Sequence, residues 1–250
     1  MTDWLIESLA AEGARYGAAI ERGAADAVVP TCPDWTLREL VHHTGGVQRW
    51  ATRIVNERAS GPIDEELEAI AGGWPADEDL AAWFRAGVAL LVDALRSASD
   101  GDEIWAFLRG SPNGRAFWAR RQLHETTIHR IDAELAAGAA SPVDVGVAVD
   151  GIDELLTGFL PRRTSRLKPA STTRFSIEPA DADDGWVVTA GAEGATTERT
   201  RAADADLVLR GSAADLYVFL WNRRDADVLD VTGDPSLLDL WRSSVQVRWS

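Results

Sequence analysis

The order of apolar and polar positions divides the chain in two. Over the first two-thirds, apolar residues recur at three- and four-residue spacing, in segments separated by Pro and Gly clusters. That period predicts amphipathic helices near 2–26, 36–57, 77–98, 115–138 and 145–160. The second has a clear start signal, because Thr36-Leu37-Arg38-Glu39 fits a capping box in which threonine and glutamate each satisfy a free backbone N–H. Val28 to Trp35 before it reads as a rigid two-proline loop, and 99–114, rich in Asp, Gly, Ser, Pro and Asn, as the longest connector. After Leu160 the pattern changes. Pro161-Arg162-Arg163 and Lys168-Pro169-Ala170-Ser171 form a polar linker, followed by β-branched or alternating runs at Thr173–Ile177 and Trp186–Ala190 around an Asp- and Gly-rich turn. Leu207–Leu209 and Val228–Val231 are further short strands, with helices at Ala213–Trp221 and Pro235–Trp241. The expected architecture is α+β in two domains: an antiparallel helical bundle over 1–162 and a small α+β domain with a mostly antiparallel sheet over 163–250.

Composition narrows the function. The 250 residues carry 25 basic and 40 acidic side chains, a net charge of −15, which argues against a nucleic-acid or anionic-membrane surface. No run of eighteen apolar residues occurs and the N-terminus does not read as a secretion signal, so a cytoplasmic location is expected. Cys32 is the single cysteine, which rules out an intrachain disulfide and a thiolate zinc cluster within one chain. Any metal must therefore rely on imidazole and carboxylate. Lys168 is the lone lysine among the 25 basic residues; with abundant Ala and Gly, this usage looks like translation of a GC-rich genome.

The four histidines form two pairs, His42/His43 and His124/His129. At about 100° per residue, with Leu40 at zero, His43 falls near −60° and borders the buried face, whereas His42 falls near 200° beside Arg49 and should be solvated. Glu125 and His129 stand four apart, so a carboxylate and an imidazole share one helix face and can grip one ion. Asp132 follows on the same side, placed to accept the second N–H of a metal-bound imidazole. His124 and His129 are five apart, which excludes the zinc-protease motif with histidines at i and i+4. The main apolar stripe of this helix runs through Leu123, Thr127, Ile131 and Leu135, roughly 120° from the pair, so a solvated surface Glu–His pair competes with a metal site. Trp118 and Ala136 flank the pair on its own face and suggest that this side is covered as well. The tryptophans, eleven in all, sit mostly at core spacing. Arg120, Arg121 and Arg130 lie on or beside the same helix. Surface pairing is expected for at least two of them, with Arg121 a candidate for binding a substrate or cofactor carboxylate. Arg223, after a tryptophan at the end of a predicted helix, is a second such candidate.

Two segments carry a family resemblance. Val29-Pro30-Thr31-Cys32-Pro33-Asp34-Trp35-Thr36-Leu37-Arg38-Glu39-Leu40-Val41-His42-His43 resembles the signature of the mycothiol-dependent maleylpyruvate isomerase family, a branch of the DinB-like bundles, and Phe117 to Ala133 resembles its second signature. Leu220-Trp221-Asn222-Arg223 and Val231-Thr232-Gly233-Asp234 are similar to the family's small C-terminal domain, related to sterol-carrier-type folds. Asp34 and Asn222 stand where family members often have Gly. The resemblance implies a zinc site of His43, Glu125 and His129, with mycothiol as thiol cofactor or cosubstrate. Two imidazoles and a carboxylate leave an open position, the pattern of catalytic zinc, although iron, manganese or nickel also suit such donors. A catalytic thiol then comes from the cofactor in preference to Cys32. The expected reaction is cis–trans isomerisation by thiolate addition and elimination, or S-transfer, on a small electrophilic or unsaturated acid, by a monomer or weak dimer. A thiol-independent metal hydrolase and a zinc-bearing sensor or carrier of small ligands are the alternatives.

Overall fold

The computed structural model describes residues 1–108, 111, 114–162, 165–202 and 204–246. Arg163 of the polar linker, and Arg109, Gly110, Pro112 and Asn113 of the long connector, lie outside the described residues. The chain forms two compact units, Met1–Ser141 and Pro142–Ser250.

In the first unit, α1 (Thr2–Arg22), α2 (Leu37–Glu57), α4 (Leu80–Ser97) and α5 (Gly114–Ala136) are the long helices, and α3 (Leu67–Ala71) is a short addition. Both α1 and α2 pack against both α4 and α5. Leu5, Leu9 and Tyr16 of α1, Leu37, Leu40 and Ile54 of α2, Phe84 and Leu91 of α4, and Trp118 and Leu123 of α5 form the apolar interior. The predicted capping box is present: the Thr36 N–H donates to Glu39 Oε2 at 2.7 Å and the Glu39 N–H to Thr36 Oγ1 at 3.4 Å. The two-proline loop is itself ordered as an antiparallel ribbon of β1 (Val28–Val29) and β2 (Cys32–Thr36). Gly45 lets α2 and α4 approach, since a Cβ there would lie 2.1 Å from the Trp83 ring.

The burial of α5 departs from its apolar pattern. Every residue from Arg121 to Arg130 is buried, whereas Ile131 and Leu135 of the expected stripe are partly exposed. The reason is position: with α1 on one side and α2 on another, neighbours and not hydropathy decide which faces are covered. The polar groups so buried must find partners.

The second unit opens with α6 (Val145–Asp153), capped by the Asp144 carboxylate, which accepts from the Gly146 and Val147 N–H groups. A wider turn over Glu154–Phe159 follows, closed by the Leu160 N–H on the Leu155 carbonyl five residues back. The sheet order is β5 (Gly194–Glu198), β4 (Trp186–Gly191), β3 (Thr173–Pro179), β6 (Leu207–Gly211), β7 (Asp230–Gly233), with β3 and β6 parallel and the other pairs antiparallel. Strands β3, β4, β6 and β7 and helices α7 (Ala213–Leu220) and α8 (Pro235–Ser244) match the expected elements to within a few residues, while β5 was not anticipated. The expected boundary at 162/163 differs from the division at 141/142, because α6 packs on α7. Trp221 Nε1 donates to the Gly151 carbonyl at 3.2 Å and Trp186 Nε1 to Asp153 Oδ1 at 2.9 Å. The composition shift at Pro161 marks the end of helical sequence, not the edge of the first core. Among the described residues, no helix is long and apolar enough to cross a membrane.

Candidate metal centre

Three side chains from two helices converge in the first unit. The capping box sets the start of α2, and His43 follows two turns later, partly exposed at 18% of its side chain. Glu125 and His129, on successive turns of α5, are 6% and 9% exposed. Glu125 Oε1 lies 3.3 Å from His43 Nε2 and 3.3 Å from His129 Nε2, and one donor atom from each residue falls within 4.8 Å of the others. Such a set, two imidazoles and a carboxylate oxygen on rigid helices, fits a divalent ion of the zinc type. The Glu–His pair is therefore not a solvated surface pair, because α2 covers that face of α5.

The surrounding groups fix these three. Glu125 turns its second oxygen, Oε2, to Arg121 Nη2 at 3.3 Å. His129 Nδ1 lies 2.8 Å from Asp132 Oδ2, which leaves Nε2 directed at Glu125. Asp132 is fully buried, and the Thr31 hydroxyl, from the turn between β1 and β2, donates to its Oδ1 at 2.5 Å. Trp35 of β2 walls the site, its ring 4.9 Å from that of His43 and 6.5 Å from that of His129. Burial alone would push the His129 pKa down; the carboxylates of Glu125 and Asp132 reverse this and raise it from 6.5 to about 9. Burial likewise works to raise Glu125, but His129, His43 and Arg121 hold its carboxyl well below the usual range.

Other sequence expectations meet different outcomes. Arg121 is 2% exposed and faces Glu125, so it pairs with a buried carboxylate and not on the helix surface. Arg130 is also internal: its Nε donates to Glu12 at 2.7 Å and its Nη1 to Glu134 at 2.8 Å. Surface pairing on α5 is thus corrected for both arginines, for the same reason that α5 is buried on two sides. His42 is only partly exposed. It stacks on Trp74 at 4.7 Å with rings 5° apart, and Arg49 lies 3.8 Å over the neighbouring Trp83. Helical phase put these two away from the core, and could not foresee that α3 and the segment after it lay Trp74 across that face. Arg223 belongs to the second unit, partly exposed in the turn after α7, with its Nη1 on the Trp221 carbonyl at 3.0 Å. The adjacent Asn222 has φ of 62°, the left-handed conformation that a Gly adopts freely and Asn tolerates, which accounts for either residue at this position. Thr31 and Trp35 were not singled out in the sequence. Their signal was proximity to His43 along the chain, which carries no contact information by itself.

Comparison with known proteins follows the two units. Residues 6–134 match the mycothiol maleylpyruvate isomerase N-terminal domain and residues 146–240 the C-terminal domain of the same family. No curated protein matches the chain. The chain is similar to the crystal structure of the mycothiol-dependent maleylpyruvate isomerase, with 15% identity over 93% of each chain and a TM-score of 0.65. It is also similar to a histidine-to-alanine mutant of that isomerase, at 14% identity, 93% of each chain and 0.64. At such identity these structures speak for the fold. With the N-terminal match alone spanning just over half of its length, the chain belongs to the mycothiol maleylpyruvate isomerase family.

Proposed function

We propose that this protein is a zinc-dependent enzyme that uses mycothiol, and that His43, Glu125 and His129 are its metal ligands. The observation that carries the reading is the convergence of the three donors within 4.8 Å on two packed helices. His43 and His129 would hold the ion through Nε2, and Glu125 through Oε1. When bound, a divalent ion with an open coordination position lowers the pKa of a thiol enough to give thiolate at neutral pH. Mycothiol as the thiol suits cis–trans isomerisation by addition and elimination or S-transfer to a small electrophile, with an unsaturated acid as the substrate class favoured by the family.

The chain's own residues prepare the site for that chemistry. Arg121 neutralises and aims the Glu125 carboxylate, so that one oxygen is left for the ion. Asp132 holds the His129 ring with Nε2 inward. Trp35 and the covering helices limit water at the donors, which strengthens every electrostatic interaction there. His129, protonated at neutral pH without metal, would have to give up that proton to hold an ion. Asp132, through its contact with Nδ1, keeps the ring's orientation.

The test is elemental analysis of protein purified without a metal-affinity tag, beside His43→Ala and Glu125→Ala. About one zinc per chain in the wild type, lost in both variants, is expected, followed by turnover that requires added mycothiol. A wild type that takes up no metal after equilibration with zinc would overturn the reading.

A further inference from the structure

The ligand His129 is backed by a chain of two groups, and the outer one comes from outside the helices. Asp132 is on α5 itself, three residues from His129, and is fully buried. Thr31 is 101 residues away in sequence, at the turn of the β1–β2 ribbon, yet its hydroxyl is 2.5 Å from Asp132 Oδ1. The two carboxylate oxygens are thereby divided: Oδ2 faces the imidazole Nδ1 and Oδ1 accepts from the threonine. A carboxylate free to rotate about its last torsion would offer either oxygen to the imidazole, along with a range of angles. Anchored by Thr31, it offers one oxygen in one plane. The same ribbon carries Trp35 against the His43 and His129 rings, so it meets the site at two points.

We infer that Thr31 is a positioning residue for the metal site: its hydroxyl orients Asp132, which in turn sets the tautomer and the angle of the His129 ligand. The inference rests on the reading of His43, Glu125 and His129 as ligands. It differs from a merely structural role, in which the hydrogen bond pins the ribbon to α5 and metal affinity is indifferent to it. Loss of an outer group that orients a ligand weakens metal binding, typically by about 10- to 100-fold for a direct partner of a ligating histidine.

The experiment is titration of the metal-free full chain with zinc against a chromophoric chelator, for wild type, Thr31→Val, Thr31→Ser, Asp132→Asn and the Thr31→Val/Asp132→Asn double variant. Thermal unfolding of each metal-free protein is measured alongside. Valine keeps the shape of threonine without the hydroxyl; serine keeps the hydroxyl. Asp132→Asn should weaken zinc binding by about 10- to 100-fold, and Thr31→Val by about fivefold, the worth of one hydrogen bond. Thr31→Ser should stay within about twofold of wild type. On the Asp132→Asn background, Thr31→Val should cost nothing further, because Thr31 acts only through Asp132. Equal zinc affinity of Thr31→Val and wild type overturns the inference and leaves the metal reading intact. So does a loss that is the same size on both backgrounds. Failure of the wild type to bind zinc overturns the metal reading and this inference together.

Discussion

On the side of α5 that faces α2, Glu125 meets two imidazoles and Arg121; on the side that faces α1, Arg130 meets Glu12 and Glu134. Both clusters are buried acid–base assemblies on one helix, little more than a turn apart. In the second, the guanidinium fork is engaged on both carboxylates, and the Ser141 N–H and hydroxyl donate to Glu134 as well. Arginine has no lone pair to give and does not lose its proton, so this cluster is closed. In the first, Glu125 faces two imidazoles, and a neutral imidazole has a lone pair that an ion could take. Burial of carboxylates is therefore common to both, and what separates a structural clasp from the proposed metal site is whether the carboxylate's partners have a lone pair to give.

Four changes test that distinction. The largest effect on folding is expected at the closed cluster: Arg130→Met removes the buried cation that Glu12 and Glu134 share, leaving Glu12 its contact with Arg15 and Glu134 those with Ser141, and should cost about 3–5 kcal/mol in chemical denaturation. The folded fraction should still bind a full equivalent of zinc. His43→Ala should do the opposite. Zinc is lost altogether, while the metal-free protein keeps its stability to within about 1 kcal/mol, as expected for a side chain at the edge of the site. Equal loss of metal and of stability in both variants would erase the comparison.

A pH titration sharpens it without mutation. His129 has a folded pKa of about 9 against 6.5 in the unfolded chain, so the metal-free protein holds this proton more tightly when folded. The stabilisation is complete below pH 6.5 and disappears as pH rises through 9. Denaturation midpoints of the metal-free protein should fall across that window, while zinc affinity climbs because less work is needed to remove the proton. His129→Gln should flatten both slopes. The smallest expected effect is at His42, where removal of the stack on Trp74 by His42→Ala should cost about 0.5–1.5 kcal/mol and leave zinc content unchanged. Loss of zinc in that variant would show that the two neighbouring histidines are not separate in function.

Much of this was legible beforehand for a local reason. Helix starts, turns and strand runs arise from near neighbours, so the capping box at Thr36, the five long helical segments and most strands fall close to where they were expected. The spacing of Glu125 and His129 is likewise a property of one helix. Missed elements were the short ones: α3 and β5 are five residues each, and the β1–β2 ribbon pairs across two prolines, where local pattern is weakest. The place of α6 was missed as well, since its sequence is helical like the bundle but its Gly151 and Ile152 face belongs against α7.

By itself, then, the sequence determined where the longer helices and most strands form, which donor types were present and which pair shared a helix face, since those follow from residue chemistry and the pitch of a helix. Only the tertiary structure decided that α5 is buried on both sides. In that packing Arg121 and Arg130 turn inward, Glu125 and His129 meet His43, 82 residues from Glu125, and Thr31 reaches Asp132 from a ribbon 101 residues away. Contacts at such separations depend on how helices pack against one another, and no local period in the chain encodes them.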